Sequence, residues 1–91
     1  MKSRAKLAKT FDRIQKILTD EMGIEGTSIK STSSFIDDLN MDADDLAEFF
    51  TAVEDSFSQP GKKIEIPDHE SDNLVTIQDL IDYLQEQGIE D

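Results

Sequence analysis

The sequence predicts an all-α fold, a small bundle of three main helices with a short fourth before the last of them. In three separate windows the apolar residues recur three and four positions apart, which is the period of one helix face, while no window alternates apolar and polar residues as a half-buried strand would. Each candidate helix is too short to hold by itself, so its apolar stripe must be buried against the others. The 91 residues make one domain, residues 1–91, large enough for a modest core without metal or disulfide support.

The first helix is expected over residues 4–22, with Leu7, Phe11, Ile14, Leu18 and Met22 on its inner face and Lys9, Arg13 and Lys16 off it. Gly23 ends it. The stretch "GIEGTSIKSTSS", residues 23–34, reads as an ordered loop pinned to the core by Ile24 and Ile29. A second helix is predicted from Asp42 or Ala43 to Phe57, carrying Leu46, Phe49, Phe50, Val53 and Phe57 on one face. Asp42 suits its N-cap and Asp45 the reciprocal capping position, and acidic residues in the first turn complement the exposed N–H groups and the macrodipole. "SQPGKK", residues 58–63, stops this helix, and "IEIPDHESDN" predicts an extended approach followed by one short helical turn after Pro67. The last helix has Thr76 as N-cap, Asp79 at N3, the inner residues Ile77, Leu80, Ile81 and Leu84, and Gly88 as its stop. Phe11, Phe49, Phe50, Phe57 and Leu84 are expected in the core.

A net charge of −12 is unevenly spread: residues 1–33 hold seven of the nine Lys/Arg and four of the 21 Asp/Glu, a balance of +3, which leaves −15 for residues 34–91. Such a surface repels nucleic acid backbones and favours basic protein surfaces as partners. The chain has no cysteine, which removes thiolate metal sites and thiol catalysis and permits a reducing compartment. No apolar run approaches the roughly 18 residues of a membrane span, and the basic start "MKSRAKLAKTFDRI" lacks the apolar middle of a signal peptide. A cytoplasmic monomer with no nucleic acid or membrane partner is expected.

The most distinctive stretch is "DDLNMDADDLAEFF", residues 37–50, where six acidic residues surround Ala43 at the start of the second helix. General acid and base work needs carboxylates in a dry cleft with divergent pKa values, and a solvated helix end does not supply one. His69, the only histidine, lies in a polar stretch with no thiol to activate. An enzyme is therefore not expected. Asp38, Asn40 and Asp42 match the first three oxygen positions of an EF-hand loop, but Ala43 stands where its turn requires Gly and Phe49 where its bidentate Glu belongs. No metal site is expected beyond loose charge relief.

The order "SFIDDL", "MDADDLAEFFTAVEDSF", "IEIPD" and "LVTIQDLIDYL" resembles the acyl carrier proteins of fatty acid and polyketide synthesis over residues 5–87. The resemblance implies an acyl-carrier-like helical bundle that tethers acyl intermediates through 4′-phosphopantetheine on a serine opening the second helix, within a Gly-x-Asp-Ser-Leu motif. Here the same positions read Asn40, Met41, Asp42, Ala43 and Asp44. The resemblance places the attachment position at Ala43, flanked by the motif residues Asp42 and Asp44, and a docking face on Asp44, Asp45, Glu48, Glu54 and Asp55. Basic patches on a phosphopantetheinyl transferase and on acyl-processing synthase enzymes are the implied partners. A helix N-terminus offers free N–H groups to a phosphodiester, and acidic docking favours fast, weak association.

Alanine has no hydroxyl, so the chain as written carries no cofactor at position 43. Three readings are open. Ala43 can be a Ser-to-Ala substitution that holds a carrier in its apo form; it can be natural, in a carrier-like acidic interaction module that bears no load; or the likeness can be one of fold alone, in an unrelated acidic adaptor. Asn40 in place of glycine, Asp44 in place of leucine and the longer "SQPGKK" loop are further departures, and the charge of Asp44 bears on transferase recognition.

Overall fold

The computed structural model describes residues 2–89, and their side chains from residue 10 onward. Four α-helices follow in order: α1 (Lys2–Met22), α2 (Ala43–Phe57), α3 (Asp68–Ser71) and α4 (Ile77–Glu86), with one 3-10 turn at Gly26–Ser28. Among the described residues there is no strand, only two isolated bridges, Ser34 with Thr76 and Gln59 with Lys62. The fold is thus the all-α bundle that the periodicity predicts, with α1 beginning two residues earlier than expected. Leu7 and Lys9 lie outside the residues whose side chains are described.

Local contacts account for the end of α1, both ends of α2 and the start of α4. Gly23, at φ +73°, takes the left-handed conformation that ends α1: its N–H donates to Thr19 O at 3.1 Å, the single bond of an αL motif, and the Ile24 N–H reaches back to Leu18 O at 3.3 Å. α2 opens with a complete capping box, in which the Asp45 N–H donates to Asp42 Oδ1 at 2.9 Å and the Asp42 N–H to Asp45 Oδ2 at 3.4 Å. Thr76 and Asp79 repeat the device on α4, at 3.2 and 3.1 Å. At the far end of α2, the Arg13 guanidinium donates to the carbonyl and, at 3.2 Å, to the hydroxyl of Ser56, and lies 4.0 Å from the centre of the Phe57 ring. One α1 side chain therefore satisfies an orphan carbonyl, complements the negative end of the α2 dipole and covers a core aromatic.

One core joins all of the long helices. Ile14 and Leu18 from α1, Phe49, Val53 and Phe57 from α2 and Ile77, Leu80 and Leu84 from α4 are essentially inaccessible, each contributing on the order of 2 kcal/mol from burial. The connecting segments supply nearly as much. Phe35 is buried and its ring lies 5.5 Å from Phe49 and 5.8 Å from Phe50, while Leu39, Met41, Ile64, Ile66, Leu74 and Ile89 close the same cluster. Phe11 corrects the expectation set by its spacing: it is only half-buried and packs against the edge of the core, as does Leu46. The neighbouring Thr10 takes the buried place on that turn.

Backbone bonds anchor the first long loop to α4. The Phe35 N–H donates to Val75 O at 3.0 Å, the Ile77 N–H to Ser33 O at 3.1 Å and the Gln78 N–H to Ser31 O at 2.8 Å. With Ile29 buried beneath it, this loop delivers the chain to the start of α2 along a defined path. That path positions residue 43.

Candidate functional site

Met41 hooks the chain back onto the loop, its N–H donating to Phe35 O at 3.0 Å, and α2 starts two residues later. Asn40, just before this hook, has φ +59°. Among residues with a side chain, asparagine is one of the few that visit this left-handed region at low cost, so the chain makes this turn without a glycine. An asparagine immediately before a signed helix start was the sequence signal for that turn.

Ala43 is the first residue of α2 and its methyl group is exposed, with Asp42 on one side as the N-cap and the exposed Asp44 on the other. A side chain at position 43 therefore stands on the surface at the positive end of the helix dipole. The residue present does not fit covalent attachment of a phosphopantetheine arm, because a methyl group offers no oxygen to bond to phosphorus. The neighbouring carboxylates are partly committed: Asp42 and Asp45 to the capping box, and Asp38 to the Ser34 N–H, which donates to its Oδ2 at 2.7 Å. The three oxygen-bearing positions of the EF-hand comparison thus serve turn geometry. Among the described residues no three His, Cys, Asp or Glu side chains gather in a way that could hold a metal ion.

The five acids expected to form a docking face separate into three groups. Asp44, Glu48 and Asp55 are exposed and, at about 100° per residue, fall within roughly 40° of one another around α2. Asp45 is half-buried in the capping box. Glu54 points elsewhere: half-buried, it accepts the Ile66 N–H at 2.5 Å and so ties the segment before α3 to α2. Ser58 acts beside it, its hydroxyl donating to Glu54 O at 2.6 Å and accepting the Ile64 N–H at 3.0 Å. His69 is exposed and lies 3.6 Å from Glu70, away from α2 on α3.

Among the described residues no helix is long and apolar enough to cross a membrane. No protein-family profile matches the chain. The chain is similar to the acyl carrier protein of Clostridium acetobutylicum, with 37% identity over 75 residues that cover 82% of this chain and 91% of the relative. Identity at that level over nearly the whole relative, together with four helices in the expected order and an exposed residue 43 opening the capped second helix, places this chain in the acyl carrier protein family, a family of carriers and not of enzymes.

Proposed function

We propose that this domain is the scaffold of a carrier that tethers acyl intermediates in fatty acid or polyketide synthesis, and that Ala43 stands in the place of its attachment serine. The chain as written is then an apo form that a phosphopantetheinyl transferase cannot load. The observation that carries this reading is the exposed first residue of α2, set inside a complete Asp42–Asp45 capping box, directly after its N-cap. An attachment point needs that combination of a rigid base and an unobstructed exit. Asp44, Glu48 and Asp55 supply the face that basic patches on the transferase and on synthase enzymes would meet, working in the cytoplasm with a monomeric carrier. Asp42 and Asp45 act by holding the helix start.

Ala43→Ser tests the reading, in a mixture with coenzyme A and a permissive transferase. Intact-mass analysis is expected to show one added phosphopantetheine on Ala43→Ser and none on the parent chain. If Ala43→Ser is folded, binds the transferase and still gains no mass, the second reading takes over: a natural carrier-like module that docks on such enzymes without a load. The exposed charge of Asp44 beside position 43 favours that alternative, because it puts a carboxylate where an apolar contact is expected. Asp44→Leu in the Ala43→Ser background separates a poor recognition motif from a module with no carrier role.

A further inference from the structure

Residues 58–63, "SQPGKK", lengthen the connection after α2 and fold into a defined turn. Gln59 and Lys62 exchange two backbone hydrogen bonds, both at 2.8 Å, around Pro60 and Gly61. Proline presets the first central position and Gly61, at φ +82°, takes the left-handed second, as a type II turn requires. The Ser58 hydroxyl fixes the base of the turn by accepting the Ile64 N–H at 3.0 Å. Burial then alternates, with Ile64 and Ile66 in the core and Lys63 and Glu65 exposed, which is the period of an extended segment.

This segment runs back along α4. The Tyr83 hydroxyl donates to Glu65 O at 2.9 Å, and further on the Lys62 side chain lies over Gly88, where an added Cβ would collide with Nζ and stand 2.8 Å from Cε. Gly88, at φ +103°, is the stop of α4, so the Lys62 ammonium sits at the negative end of that helix dipole. α4 has Asp79 in its first turn and no cation in its last, and the exposed Glu86 adds a negative charge there. Lys62 brings from another segment the charge that α4 itself lacks. Lys62 and Lys63 are the two Lys/Arg of residues 34–91, against seventeen acids, and among the described residues neither forms a salt bridge. The helix end, not a single carboxylate, is what Lys62 meets.

We propose that residues 58–66 form a charge-held strap, in which Lys62 clasps the C-terminal end of α4 and keeps the segment that carries Ile64 and Ile66 closed over the core. The strap is also tied to α2 through Ser58 and Glu54 and to α4 through Tyr83. The Lys62 clasp differs from those ties in being an exposed cation against a dipole, so salt screens it and loss of the ammonium charge releases it. Release loosens the turn and the end of α4 locally, without unfolding the bundle. The inference requires nothing of position 43 or of the acids on α2.

The test is amide hydrogen exchange followed by NMR on the full chain, read as protection factors at low salt and at roughly 1 M sodium chloride, where the screening length is about 3 Å. Lys62→Gln removes the charge, Lys62→Arg keeps it, and Lys63→Gln removes an equal charge one residue away; both positions are exposed, so folding is retained. The reporters are the Gln59 and Ile64 amides of the strap and the Ile89 amide, which donates to Leu84 O at 3.0 Å, with the buried Val53 of α2 as the reference for global opening. At low salt Lys62→Gln is expected to lower protection at the three reporters by about two- to fivefold, the scale of a surface cation at a helix end, and to leave Val53 unchanged. Lys62→Arg and Lys63→Gln are expected to match the parent chain, and the difference is expected to vanish at high salt. Four results overturn the proposal: full protection in Lys62→Gln, an equal loss in Lys63→Gln, no recovery in Lys62→Arg, or a loss that is as large at Val53 or persists at high salt.

Discussion

Replacing Glu54 by alanine separates a structural carboxylate from a docking one. The Ile66 N–H that donates to Glu54 belongs to a buried residue, 7% exposed, so truncation leaves a donor with poor access to water. A hydrogen bond to a charged acceptor contributes about 1.5–3 kcal/mol, and orphaning a buried group falls in the same range. Two opposing effects are small: alanine is a slightly better helix former than glutamate, and losing one carboxylate relieves a chain of net charge −12. Glu48→Ala has the same two benefits without the buried bond and is the proper reference. Relative to it, Glu54→Ala is expected to be about 2 kcal/mol less stable, or about 8–16 °C in Tm for a domain of this size. Glu54→Gln keeps a neutral acceptor and should recover roughly half of that loss. Urea unfolding followed by far-UV circular dichroism measures all three. If Glu54→Ala and Glu48→Ala are equally stable within about 0.5 kcal/mol, the Glu54–Ile66 bond does not hold the α2–α3 connection and Glu54 returns to the docking face.

Charge reversal tests that face directly: Asp44→Lys, Glu48→Lys and Asp55→Lys should each weaken binding to a transferase by no more than about 1 kcal/mol, mainly through slower association and less so at high salt. Glu86→Lys on α4 should have no effect, and equal effects at all four positions would show that the acids serve only solubility. Tyr83 is expected to contribute to the alkaline limit. Its phenol donates to Glu65 O at 2.9 Å, and burial, followed by the charge of Glu70, raises its pKa above the ordinary 10.0. A raised pKa in the folded state means that the stabilisation is complete below the unfolded value near 10 and is lost as pH rises through the folded one. The urea midpoint should therefore fall above about pH 10 in the parent chain and fall less in Tyr83→Phe; parallel pH profiles would refute the assignment.

The elements that the sequence determined by itself are those set by neighbours three or four residues apart. The stripes of α1, α2 and α4 and the Asp42–Asp45 and Thr76–Asp79 caps depend on contacts within a single turn, so their residues state them directly. The short turn after Pro67 was legible for the same reason. So was the chemical fact at the candidate site, since a methyl group at position 43 lacks a nucleophile in any fold. Tertiary packing decided the rest. Phe35, Met41, Ile64 and Ile66 sit in stretches without helical period, and only the closing of loops over the bundle makes them core, while Phe11 falls on the right stripe yet ends at the edge. Glu54 and Asp55 are adjacent acids of the same helix, one bonded to a backbone N–H twelve residues away and the other exposed. Arg13 finds its partner 43 residues further along. Periodicity fixes which way a side chain leaves its helix, but what it meets there is set by which segments pack alongside, and that is a property of the whole chain folded at once.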